Sequence, residues 1–107
     1  MKFGGNLKNM LKQAEKVKEQ MERLQAEAGQ KTVEASAGGG MVTAVAKANG
    51  ELVSVKIEPS IIHEGDVEML QDLITAAVNE ALNRGREIMK EEIAKAASSF
   101  GLPPGLL

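Results

Sequence analysis

Met41-Val42-Thr43-Ala44-Val45-Ala46-Lys47-Ala48-Asn49-Gly50-Glu51-Leu52-Val53-Ser54-Val55-Lys56-Ile57 is two alternating β-like runs joined by Asn49-Gly50. That dipeptide signals a hairpin, because a type I′ turn needs positive φ at both central residues and Asn and Gly tolerate it at least cost. Pairing Ala48 with Glu51 then sets Ala46 opposite Val53, Ala44 opposite Val55 and Val42 opposite Ile57. Six apolar side chains gather on one face. Thr43, Lys47, Ser54 and Lys56 occupy the other, with Val45 and Leu52 as exceptions. A slip of one residue would scramble this partition, so turn chemistry and hydrophobic pattern select one register. The apolar face needs a cover, and the flanking segments read as helices.

From Leu7 to Ala28 the apolar residues fall at 7, 10, 14, 17, 21, 24 and 28. This three-four spacing is the seam of a helix that packs along another helix. Leu11 widens the stripe, Asn6 is the expected N-cap, and Gly29 stands just past the C-terminus. Lys18 with Glu22 and Glu19 with Arg23 have the i,i+4 spacing of helix-surface ion pairs. The expected helix covers 6–28. Gln30 to Ala37 is polar and alternating and reads as an edge strand, so a three-stranded sheet occupies 30–58, with Gly38-Gly39-Gly40 connecting into the hairpin. Phosphate-cradling glycine loops open helices, whereas these glycines lead into a strand, and an ordinary connection is the better reading.

Pro59 ends the last strand, since it offers no ladder donor. Asp66 can cap a second helix over 66–98, with apolar positions running from Val67 through Ile93. Gly85 inside it marks either a bend or a close backbone approach. At 1.5 Å per residue the second helix measures about 46 Å and the first about 33 Å. A compact globule of about 100 residues, with a radius of gyration near 13 Å, is only about 33 Å across. The second helix must overhang, and overhanging apolar stripes call for another subunit, a homodimer being the commonest closure. Pro103-Pro104 excludes helix from the tail, and 101–107 is expected to be flexible.

Composition narrows the function. The only aromatic residues are Phe3 and Phe100, so the core must be aliphatic, and thin for a single chain. With no cysteine, neither disulfides nor thiolate metal sites are possible, and an intracellular setting fits. No apolar run reaches membrane-span length and no signal-peptide core is present, which points to a cytoplasmic protein without a membrane partner. The single histidine, His63, lies in a turn without partners at metal or general-base spacing. Glu91 and Glu92, adjacent on a helix, point to different sides. No nucleophile elbow or dinucleotide fingerprint occurs. The expectation is a non-enzyme with no metal, cofactor or small-molecule substrate.

The net charge of −2 exerts no overall pull on nucleic acid, but residues 1–24 hold six basic against three acidic residues, a local +3. Lys8, Lys12 and Lys16 recur at i, i+4 and i+8 on the side away from the apolar stripe. Such a row is ordinarily a solvated helix face. Doubled in a dimer and held rigidly, it can meet duplex phosphates. The scarcity of aromatics argues against single strands, where bases stack on rings, and no cluster suggests base readout.

Several strings, in order, carry a resemblance: Asn6-Leu7 to Met10-Leu11-Lys12-Gln13-Ala14, Gly39-Gly40-Met41-Val42, Val53-Ser54-Val55-Lys56-Ile57-Glu58-Pro59, Met69-Leu70-Gln71-Asp72-Leu73, Ala76-Ala77-Val78-Asn79-Glu80-Ala81 and Leu102-Pro103-Pro104-Gly105. Over essentially its full length the chain resembles the YbaB/EbfC-like nucleoid-associated proteins of bacteria. The resemblance implies an α+β fold of long helix, three-stranded antiparallel sheet and long helix. It also implies an intertwined, tweezer-like homodimer with protruding helical arms, found in the cytoplasm and nucleoid. It implies binding to double-stranded DNA with limited sequence preference, and roles in nucleoid organisation or gene expression. The residues expected to meet phosphates are Lys8, Lys12, Lys16 and Lys18, then Arg23, Arg84, Arg86 and Lys90. The alternative is a dimeric interaction or chaperone-like module gripping a protein partner between its arms, with Met10, Met21, Met41, Met69 and Met89 as adaptable contacts.

Overall fold

The computed structural model describes residues 2–62 and 65–101, with side chains from Asn6 onward. Helix α1 (Lys2–Ala28) leads to strands β1 (Thr32–Ala37), β2 (Val42–Lys47) and β3 (Leu52–Ile57). A single-turn helix α2 (Pro59–Ile62) and the long helix α3 (Val67–Ser99) follow. The strands form one antiparallel sheet in the order β1-β2-β3. Helix, three-stranded meander and helix match the expected fold, and β1 is the expected edge strand. His63 and the tail beyond Gly101 lie outside the described residues.

The hairpin register holds for half of its length. Val42 pairs with Ile57 and Ala44 with Val55, as the pattern requires, but Ala46 pairs with Leu52 and Val53 is left over as a bulge. The turn explains the difference. The Gly50 amide donates to the Lys47 carbonyl at 3.0 Å, the Lys47 amide donates to the Glu51 carbonyl at 2.8 Å, and only Gly50 has positive φ, at 94°. Ala48 and Asn49 are therefore the centre of an ordinary turn and Gly50 is the left-handed third residue, the three-residue hairpin loop with a glycine bulge. Asn49 keeps negative φ and instead accepts the Glu51 amide on Oδ1 at 2.9 Å. The longer loop shifts the pairing next to it by one residue, and the Val53 bulge restores the outer register.

One face of the sheet is covered by α3. Ala35, Val42, Ala44, Ala46, Ile61, Ala77 and Ala81 form the buried core, with Leu70, Leu73, Ile74, Val78 and Leu82 packed around it. Alanine against alanine brings helix and sheet backbones close together. A Cβ placed on Gly38 would stand 2.8 Å from Leu73 Cδ2, so the β1–β2 connection rests on α3 near its start. Twelve residues later, a Cβ on Gly85 would meet the Lys47 carbonyl at 3.0 Å, so the hairpin turn touches α3 there. Those twelve residues rise about 18 Å, close to the length of a six-residue strand, so α3 crosses the sheet lengthwise. Close approach, not a bend, is the reason for Gly85.

Asp66 caps α3 as expected, its Oδ1 accepting the Met69 amide at 2.9 Å. Pro59 ends the strand and also starts α2, where its fixed φ suits the first helical position and its missing N–H costs nothing. The sequence reading had not separated α2 from the turn. Asn6 does not cap α1, which begins at Lys2.

Past Gly85, α3 leaves the sheet and α1 lies along it. Ala28 and Ala97 are buried, and Val17, Met21 and Leu24 half-buried, whereas Leu7, Met10, Leu11 and Ala14 are exposed. The heptad seam is covered only in its C-terminal half. The molecule measures 78 × 20 × 18 Å with a radius of gyration of 20.8 Å, well above the roughly 13 Å of a compact chain of about 100 residues.

Candidate nucleic-acid interface

The junction between arm and sheet is held by backbone. The Asn49 amide donates to the Gly29 carbonyl at 3.2 Å and the Ala48 amide to the Lys31 carbonyl at 2.8 Å, so the end of α1 is stitched to the hairpin turn. Gly29 follows α1 as expected, its amide donating to the Gln25 carbonyl, but in negative-φ backbone. What it supplies is room, since a Cβ there would stand 3.1 Å from Asn49 Cβ. Lys31 Nζ then reaches across to Glu92 Oε1 on α3 at 2.6 Å. That ammonium, by hydrogen bond and charge together and with Lys95 behind it, holds the Glu92 carboxyl below the ordinary glutamate value. The arm leaves the sheet at a fixed place.

On the arm, Lys8, Lys12, Lys16, Lys18 and Arg23 are all exposed, and none is within ion-pair distance of an acidic residue among the described side chains. The pairs Lys18–Glu22 and Glu19–Arg23 that their spacing allows are thus not closed. With about 100° of turn per residue, Lys8, Lys12, Lys16 and Arg23 fall within an arc of about 80° opposite the apolar stripe. Lys18 falls at the edge of the stripe beside Leu11. Glu15, Glu19 and Glu22 share the polar face nearer the sheet, so positive charge dominates only toward the tip. Lys8 to Lys16 spans about 12 Å along the axis, a length over which duplex DNA carries roughly seven phosphate charges.

The second group of expected residues divides. Arg84 Nη1 donates to the Glu34 carbonyl of β1 at 2.9 Å and its Nε to Glu80 Oε1 at 3.1 Å, so this guanidinium ties α3 to the sheet edge. Arg86 donates to Asn83 Oδ1. With Lys90 they line a shallow hollow of about 280 Å³ that also contains Glu80 and Glu87. This mixed cluster sits at the root of the arm. Lys8, 21 residues before Gly29 on a straight helix, is about 32 Å farther out. The structure therefore gathers Arg84, Arg86 and Lys90 and holds them apart from the lysine row. Lys95, exposed on the same arm, was not singled out from the sequence; its isolation between alanines gave no periodic signal.

No group of three or more potential metal ligands occurs among the described residues, and no described helix is long and apolar enough to cross a membrane.

The model of the YbaB/EbfC DNA-binding family matches residues 3–100. A nucleoid-associated protein of Acetivibrio thermocellus is 52% identical over 104 residues, covering 97% of this chain and 92% of that one. One from Moorella thermoacetica is 52% identical over 99 residues, covering 92% and 95%. Among solved structures, the uncharacterized protein HP0035 from Helicobacter pylori superposes with a TM-score of 0.61 at 26% identity, over 83% of this chain and 86% of that one. A match that runs from the first turn of α1 to the end of α3, joined to identities near one half, leaves one assignment: the chain belongs to the YbaB/EbfC DNA-binding family.

Proposed function

We propose that the protein is a homodimeric DNA-binding protein of the nucleoid that grips the duplex backbone with its α1 arms. The observation that carries this reading is the row Lys8, Lys12 and Lys16, exposed, without an ion-pair partner among the described residues, and aligned on a helix whose root is fixed to the sheet. Membership of a DNA-binding family and relatives named nucleoid-associated proteins supply the ligand. Lysines on a fixed helix, compact charges without a planar fork or an aromatic neighbour, suit phosphate oxygens and read no base edges, so contact is to the backbone with little sequence preference. Effects on nucleoid organisation and on gene expression follow from occupancy along many sites. The half-bare heptad seam and the 78 Å length support a dimer, because a single chain covers too little of its own apolar surface.

Titration of labelled duplex across several salt concentrations, beside a single strand of equal length and a shuffled duplex, tests the reading. Two arms with three lysines each give six phosphate contacts and a log–log salt slope near −5. The triple variant Lys8→Ala, Lys12→Ala, Lys16→Ala should lose most of that slope on every sequence. An unchanged slope would remove α1 from the interface, and failure to bind any duplex at low salt would leave a protein partner as the better reading.

A further inference from the structure

The hairpin turn carries a reactive pair. Asn49 and Gly50 are both exposed, and a Cβ on Gly50 would meet nothing within 4 Å, so solvent reaches the peptide bond between them. An asparagine side-chain amide is open to attack by the backbone nitrogen of the next residue, and glycine, without a Cβ, leaves that nitrogen least hindered. The side chain is also folded back over the turn. The Glu51 amide donates to Asn49 Oδ1 at 2.9 Å, closing an Asx turn around Gly50. Oδ1 is the oxygen that takes up negative charge when Cγ is attacked, so this donor stabilises the step. One bond restrains it, from the Gly50 amide to the Lys47 carbonyl at 3.0 Å. The other asparagines, Asn6, Asn9, Asn79 and Asn83, lie within α1 and α3 and precede Leu7, Met10, Glu80 and Arg84. There the following nitrogen is tied into the helix ladder and flanked by a side chain.

We infer that Asn49 is a site of spontaneous deamidation whose product unfastens the root of the arm. When the turn opens, Gly50 N gives its proton to a solvent base and bonds to Asn49 Cγ. The bond from Cγ to the side-chain nitrogen breaks, and ammonia leaves with a proton from water. Water then opens the cyclic imide. Opening at Cγ gives aspartate. Opening at the main-chain carbonyl gives isoaspartate, in which the chain runs through Cγ and gains a methylene.

That methylene falls inside the stretch spanned by the bonds that close the turn, from the Gly50 amide to the Lys47 carbonyl and from the Lys47 amide to the Glu51 carbonyl. Immediately before it are the Ala48 and Asn49 amides, which donate to the Lys31 and Gly29 carbonyls and stitch the arm to the hairpin. The Lys47 carbonyl also lies against Gly85 of α3, so the lengthened turn has no room to give on that side. Loss of ammonia to solvent makes the change one-way, and it therefore marks the age of a copy. On the DNA reading, on which this consequence alone rests, an aged copy loses the fixed root beneath its lysine row.

The test uses the full folded chain without DNA, so it is independent of that reading. Samples aged at pH 7 and at pH 8 are mapped by peptide mass spectrometry, and the isoaspartyl form is separated by anion exchange. Conversion should be at least about tenfold faster at Asn49 than at Asn79 or Asn83, and about tenfold faster at pH 8 than at pH 7, because Gly50 N must first lose its proton. In the isoaspartyl form the Ala48 and Asn49 amides should exchange hydrogen at least about tenfold faster than in the parent, while those of Ala77 and Ala81 in α3 keep their protection. Asn49→Gln, which cannot form the same ring, should show no change in exchange over the same time. Equal conversion at Asn49, Asn79 and Asn83, an isoaspartyl chain whose junction amides exchange like the parent's, or loosening with age in Asn49→Gln would overturn the inference.

Discussion

Gly85 on α3 and Ala48 in the hairpin turn approach so closely that a Cβ on the glycine would lie 3.2 Å from the alanine Cα and 3.0 Å from the Lys47 carbonyl oxygen. That carbonyl is not free to retreat, because it accepts the Gly50 amide that closes the turn. Gly85→Ala should therefore cost about 1–2 kcal/mol, although in an open helix the same change gains about 1 kcal/mol. Urea unfolding of the variant decides the sign. A stabilised variant would mean that helix and turn have room between them.

The turn itself makes a prediction that separates the two hairpin geometries. With φ at 94°, Gly50→Ala should cost about 1–2 kcal/mol. Asn49→Ala should lose only the Oδ1 bond to the Glu51 amide, about 0.5–1 kcal/mol, because Asn49 already has negative φ. In a type I′ turn both positions would resist alanine equally. Thermal denaturation of the two variants distinguishes the cases.

The fold was readable wherever the signal is local and repeated. The heptad spacing of α1, the alternation of β2 and the Asp66 cap are patterns within a few residues, and each has its counterpart in the structure, whereas the alternation of β3 is broken at the Val53 bulge. What eluded reading depends on partners distant in the chain or on backbone choices that two residue types leave open. Asn49-Gly50 permits both a two-residue and a three-residue loop, and the stitch of Asn49 to Gly29 accompanies the longer one. Of the expected phosphate contacts, Lys8, Lys12 and Lys16 were legible as a helical row. Arg84 looked equivalent to Arg86 and Lys90, because its acceptor, the Glu34 carbonyl, lies 50 residues away.

That acceptor separates Arg84 from the lysines experimentally. Arg84→Ala should lower unfolding stability by about 1 kcal/mol, the guanidinium being half exposed, by releasing α3 from the β1 edge. Its duplex salt slope should stay that of the parent protein. Lys8→Ala should do the reverse, leaving the melting temperature in place and reducing the slope by about 2 for a dimer. A fall in slope with Arg84→Ala would place this residue on DNA instead.

Acid should loosen the root of the arm through Glu92. Lys31 holds its carboxyl below the ordinary glutamate value in the folded chain, so folding favours the ionised form. The resulting stabilisation is complete above the unfolded value of about 4.3 and disappears as pH falls through the lower folded value. Wild type should therefore be more stable than Glu92→Gln at pH 7, and the gap should shrink steadily below about pH 4.5. Because the 2.6 Å pair is partly exposed, added salt should narrow the same gap at neutral pH. Lys31→Ala should lose the advantage at pH 7, and adding Glu92→Gln to it should then change little. Chemical denaturation of the four proteins at several pH values provides the comparison. A wild-type advantage that stayed constant from pH 7 to pH 3 would show that Glu92 supports the arm through packing rather than through its charge.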